Sequence, residues 1–183
     1  MPTIFTHPAV PLALAVGLGR DAIPSRLLAA GVAASILPDA DVVAFSLGVP
    51  YGSAFGHRGF THSLAFAAAV GLAGALFHRA LDATRVRAAA FLFVATASHG
   101  ALDAFTTGGS GIAFLWPWSE ARYFAPVQVI AVSPIGLRRF LSERGVDVIF
   151  SELAWVWSTC ALAALLLRLA QRAAVAFRQP PVL

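Results

Sequence analysis

Two histidines and an arginine crowd the stretch FGHRGFTHSLAF, Phe55 to Phe66, directly ahead of an apolar run. His57 and His62 are five apart and do not share a helical face; Gly59 between them implies a turn, with Thr61 or His62 near a helix start. In ASHGALDAF, His99 and Asp103 are four apart, so a helix carries both on one face. Such a pair can ligate one metal ion, or the carboxylate can orient the imidazole from behind. In LPDAD, Pro38 ends a helix and frees Asp39 and Asp41 to converge on a common point. His7 opens the first apolar run and Glu152 lies early in the last. Imidazole and carboxylate without thiolate suit zinc first, with manganese or iron as alternatives. The single cysteine, Cys160, excludes an intrachain disulfide and a multi-cysteine site.

Taken singly, each residue has a plainer reading. His7 is a polar residue near a proline, Asp39 and Asp41 are a capped helix end, and His99 is a hydrogen bond between helices. Arg58 is a membrane anchor, Glu152 marks an interface, and His78, among arginines, is structural. Together they are harder to dismiss, because ionisable groups in apolar runs are costly and mark function by default.

The elements that must position them are apolar. The 183 residues suffice for one domain, spanning 1–183. The chain is 58% hydrophobic and 12% charged, against about 25% charged in soluble domains. This deficit indicates a membrane protein. All 13 basic residues are arginines, scattered between apolar runs; they flank membrane segments and form no patch for nucleic acid, so no nucleic-acid partner is expected. The start, MPTIFTHPAV, lacks the positive region of a signal peptide, so the first run is expected to be retained.

Five apolar runs are expected as helices: Pro8 to Gly19, Leu27 to Leu47 interrupted at Pro38, Ser63 to Phe77, Ala88 to Phe105 and Val148 to Leu167. The fifth reaches the ~20 residues of a full span, the fourth comes close, and the first two are short or broken. The fold class is therefore all-α, a polytopic membrane bundle of about five apolar helices. Successive helices alternate in direction. The start of the first, end of the second, start of the third, end of the fourth and start of the fifth then share one membrane face, and every suspicious residue except His78 falls there. Within the long connection, SPIGLRRFLSERG reads as a short interfacial helix capped by Ser133, opened by Pro134 and ended by Gly145. Eight arginines fall on the face opposite the site and five on the site face, which puts the site on the non-cytoplasmic side. All four tryptophans fall toward the site face.

The order TH, LPDAD, FGHRGFTHS, SHGALDAFTTGG and LWPW with Arg122 resembles the YdjM-like family of LexA-regulated bacterial inner-membrane proteins, described as metal-dependent hydrolases. The resemblance covers His7 to about Glu152. It implies a site of His7, Asp39, Asp41, His57, Arg58, His62, His99 and Asp103, and a multi-pass protein of the bacterial inner membrane. The family is similar, more distantly, to zinc-dependent phospholipases C. Those enzymes carry further histidines downstream, whereas none follows His99 here, so one or two ions are expected. With Glu152 as a further ligand, the expected activity is hydrolysis of a phosphoester, with a membrane lipid or small phosphoester as substrate. Asp41 is expected as ligand or base, Arg58 as the phosphate-facing charge, and Arg122 as a weaker candidate for that role. An alternative of a different class is a metal or proton carrier using the same cluster. The cytoplasmic halves of the runs are nearly pure Ala, Leu, Val and Gly, which disfavours it. A third reading is a scaffold whose metal only holds helices together.

Overall fold

Ser63 and Thr84 show how the apolar runs become helices. The Ser63 hydroxyl accepts from the Phe66 amide at 3.1 Å and opens α4, Leu64–Leu76. The Thr84 hydroxyl accepts from the Arg87 amide at 3.3 Å and opens α5, Arg85–Ala104. Each supplies an acceptor that the first turn of a helix lacks. The computed structural model describes residues 1–134 and 137–178. Before α4 come α1, Ala9–Leu18, α2, Ser25–Ile36, and the short α3, Val43–Ser46. Pro38 ends α2 as expected, and a 3₁₀ segment, Leu37–Val42, carries Asp39 and Asp41 away from the helix axis. A second 3₁₀ turn, Phe60–His62, delivers His62 to the start of α4.

Among the described residues the chain is all-helical, with only isolated β-bridges, Thr106 with Ile130 and Ile112 with Tyr123. These fold the long connection after α5 back over the end of the helices. That connection differs from expectation. A four-residue α6, Leu137–Phe140, precedes α7, Glu143–Glu152. Gly145 lies inside α7 rather than ending a helix, because Ser142 begins a new one. Ile135 and Gly136, within the expected interfacial helix, lie outside the described residues. A wide π turn, Leu153–Trp157, joins α7 to α8, Ser158–Arg178, in one continuous rod.

Packing centres on α5, which lies between α2 and α4. Ile23, Leu27, Ala34, Ala88, Phe91, Leu92 and Ala95 form the main apolar core. Close approach depends on small residues: a Cβ on Gly71 would stand 2.9 Å from the Ala89 carbonyl oxygen of α5. On the other side α1 packs along α8. Large apolar side chains remain exposed around the rods, among them Val16, Leu72, Leu76, Val86, Leu162, Leu165, Leu166 and Leu169. A surface of this kind marks contact with a membrane or partner.

Of the described helices, one is long and apolar enough to cross a bilayer: Glu143–Val175, 33 residues. The shorter apolar helices α1 and α4 have 10 and 13 residues. At about 1.5 Å per residue, they rise about 15 and 20 Å, short of the ~30 Å hydrocarbon core. The 20 residues of α5 have the length, but it begins with Arg85 and Arg87 and ends with His99 and Asp103.

Candidate metal centre

The alternation argument places the polar residues at one end of the helices, and the structure brings them together. His7 stands just before α1, Asp39 and Asp41 on the turn after α2, His57 and His62 in the segment entering α4, and His99 and Asp103 on the last turns of α5. All are buried. Two groups of three could each hold an ion, with their donor atoms within 4.8 Å of one another: His7, His99 and Asp103, and Asp39, His57 and His62. The groups abut. His99 Nε2 lies 3.1 Å from His62 Nε2 and 3.3 Å from Asp39 Oδ1. His62 Nε2 is 3.6 Å from Asp103 Oδ2, and His7 Nε2 is 3.7 Å from Asp39 Oδ2 and 4.0 Å from Asp103 Oδ1.

These separations fit an ion between the donors. Ligands about 2.1 Å from a tetrahedral zinc stand about 3.4 Å apart. The orphaned atoms point the same way. Both His7 nitrogens, both Asp39 oxygens and both Asp103 oxygens are buried without a hydrogen-bond partner among the described residues. Asp103 keeps an ion-pair contact with Arg58 and Asp39 one with His99, but a buried group that makes no hydrogen bond costs about 1–3 kcal/mol. Three carboxylates, Asp39, Asp41 and Asp103, are buried at the centre with one guanidinium, Arg58, a donor set that suits a cation.

The outer contacts set the imidazoles. His99 Nδ1 donates to the Ser35 carbonyl at 2.7 Å, which turns its Nε2 lone pair inward. Asp41 lies behind two histidines rather than among the innermost donors: Oδ1 accepts from His57 Nδ1 at 2.6 Å, and Oδ2 accepts from the Thr61 hydroxyl at 2.7 Å and lies 3.3 Å from His62 Nδ1. His7 stacks on His99 with ring centroids 3.6 Å apart.

Three expected roles are revised. Arg58 is fully buried, with Nε 3.1 Å from Asp103 Oδ2 and its terminal nitrogens donating to the Gly108 carbonyl and Thr106 hydroxyl. It braces Asp103 and is turned away from solvent, where the expected role had it facing a phosphate. Its backbone is left-handed, φ 64°, a conformation that non-glycine residues hold only where the surroundings over-determine it. Arg122 staples the loop: its guanidinium donates to the carbonyls of Ser53, His57, Arg58 and Gly111 and to the Ser110 hydroxyl. Glu152 lies apart from the donors. Its carboxylate accepts from the Thr3 amide, the Thr3 hydroxyl at 2.7 Å and the Thr6 hydroxyl at 2.6 Å, and Trp157 Nε1 donates to Thr6 at 3.1 Å. Glu152 thus anchors the segment that carries His7.

Sequence reasoning missed Ser35, Thr61 and Thr106 as supports. Thr61, next to His62, carried the only local signal; the other two meet their partners through the fold.

A helical membrane protein with buried His/Asp groups able to hold a metal ion at one end of its helices is the class that fold and site define. The chain matches the YdjM inner membrane protein family over residues 1–175 and belongs to it. It is similar to Inner membrane protein YbcI of Escherichia coli (strain K12), 53% identical over 158 residues, which cover 86% of this chain and 91% of that protein. No solved structure matches. Family and relative are both described as inner membrane proteins, and this chain is accordingly a protein of the inner membrane.

Proposed function

We propose that the protein is a membrane-bound, metal-dependent hydrolase that cleaves a phosphoester, with a lipid-type substrate. The observation that carries this reading is the convergence of three Nε2 atoms, from His7, His62 and His99, with the orphaned carboxylates of Asp39 and Asp103. Those five residues would hold one ion, zinc first by ligand type, and His57 with Asp39 and His62 would supply a second position. A divalent ion bound there would lower the pKa of a coordinated water toward ~7 and polarise a phosphoryl oxygen.

The chain's own residues supply the rest. Asp41 holds His57 by its Nδ1, a pairing that leaves Nε2 as the nitrogen His57 would offer to the second ion. Asp41 would thereby act from behind His57, as the carboxylate that orients it, rather than as ligand or base. Arg58 fixes Asp103, and Glu152, through Thr3 and Thr6, fixes the approach of His7.

The same reading makes the chain multi-pass, with α1, α2, α4, α5 and the α7–α8 rod packed as one bundle and the site on the non-cytoplasmic face. Exposed Trp118, in the connection at the site end, suits a headgroup layer.

The test is elemental mass spectrometry on detergent-purified protein, wild type beside His99→Ala/Asp103→Ala, followed by a panel of phosphodiesters and phospholipids. Bound transition metal in wild type, lost in a folded double variant, with turnover of a panel member, is the expected result. Metal-loaded protein that cleaves nothing in the panel would remove the hydrolase reading, and uptake of metal into proteoliposomes would replace it with a carrier.

A further inference from the structure

A groove of about 370 Å³ runs along the outside of the molecule between α1 and α8. From α1 it takes Ala9, Leu12, Ala13 and Val16, one face of that helix; from α8 its floor includes Ala161, Ala164 and Leu165. The two helices close tightly at one level, where a Cβ on Gly17 would stand 2.9 Å from Leu167 Cβ. The groove is apolar until Arg168. There it meets a second cleft of about 300 Å³, lined by Arg168, Gln171, Arg172 and Val175. Arg168 belongs to both. Neither Arg168 nor Arg172 has a carboxylate partner among the described residues, while Gln171 is tied to the Leu18 carbonyl at 3.2 Å.

The level of this junction in the bilayer follows from the rod. The candidate span is the helix Glu143–Val175, and with its midpoint, Thr159, taken as the bilayer centre the depths follow. Arg168, nine residues on, stands about 13 Å from the midplane at 1.5 Å per residue, close to the edge of the ~15 Å half-thickness of the hydrocarbon. Below it lies a hydrocarbon slot; at and beyond it stand two unpaired positive charges at headgroup depth.

We propose that this groove is a binding site for an anionic phospholipid, one acyl chain lying between α1 and α8 and the phosphate on Arg168 and Arg172. An arginine fork suits a phosphate oxygen pair, and the slot below it, closed by Trp157 and Cys160 beside the aliphatic side chains, has room for an acyl chain. This site stands apart from the metal centre and holds whether or not the protein is a hydrolase.

The experiment is native mass spectrometry of the full chain in neutral detergent, titrated with phosphatidylglycerol or phosphatidylcholine of the same chain length. Wild type is compared with Arg168→Gln/Arg172→Gln and with Ala161→Phe, all at exposed positions, after their melting temperatures are matched. Wild type should prefer phosphatidylglycerol by about five-fold for each arginine engaged. The arginine variant should lose that preference while still binding both lipids weakly, and Ala161→Phe should bind less of either. Equal retention of the two lipids by wild type would overturn the proposal, as would an undiminished preference in the arginine variant. Displacement of phosphatidylglycerol by inorganic phosphate alone would show a free-anion site and overturn the acyl-chain half.

Discussion

The Asp41 carboxylate receives His57 Nδ1 on one oxygen and the Thr61 hydroxyl on the other, with His62 Nδ1 beside it. Asn at this position keeps the shape but turns a donor toward a donor. Asp41→Asn should therefore lower metal affinity about 10- to 100-fold while leaving the helices intact, read by metal titration and circular dichroism on the same sample; unchanged affinity would mean that Asp41 orients nothing. Protons compete at the same point. Burial pushes the His62 pKa down, but the Asp103 and Asp41 carboxylates beside the ring outweigh it and hold the metal-free imidazole above its ordinary range. A metal must displace that proton, so binding weakens as pH falls and the imidazole fills. Equilibrium dialysis between about pH 8 and about pH 6 should show occupancy falling with acid; a flat profile would remove His62 from the ligands. At this scale the sequence was legible where partners are local: His99 and Asp103 are four apart on one helix. The work of Arg58 was not legible, since Asp103, Thr106 and Gly108 reach it only after the long connection has folded back.

Helix α5 depends on partners with almost no side chain. Gly71→Val would force α4 away from the Ala89 carbonyl and should cost about 1–3 kcal/mol, seen as a lower melting temperature in detergent. Leu72→Val, at an exposed neighbouring position, serves as the control and should leave the melt unchanged. Equal melts for the two would mean that the α4–α5 contact tolerates separation. The positions of the five apolar helices were readable because hydropathy alone marks them. The boundary at Gly145 was not, because a capping serine and a proline at 133–134 suggest a start that the chain makes again at Ser142.

Arginine asymmetry and the convergence of polar residues give the whole molecule a direction. In a Cys160→Ser background, Trp118→Cys at the site end should react with an impermeant maleimide in spheroplasts, and Arg79→Cys should react only after lysis. The reverse pattern would turn the site toward the cytoplasm. Composition marks five apolar runs, while one described helix has by itself the length and hydropathy to cross a bilayer. Apolar runs announce contact with lipid, yet α1 and α4 rise less than the hydrocarbon thickness, so crossing there requires a locally thinned bilayer or flanking segments that complete the path.

The wide turn at Leu153–Trp157 gives Glu152 and Trp157 a common bearing. Five positions along an ordinary α-helix point about 140° apart; the wider turn, closed by the Ser158 amide on the Leu153 carbonyl, swings Glu152 and Trp157 closer in direction. That is why one threonine, Thr6, can meet both residues. What this segment contributes is therefore phase. Shortening it by one residue would leave every metal donor in the chain and still unhook the strand of sequence that delivers His7.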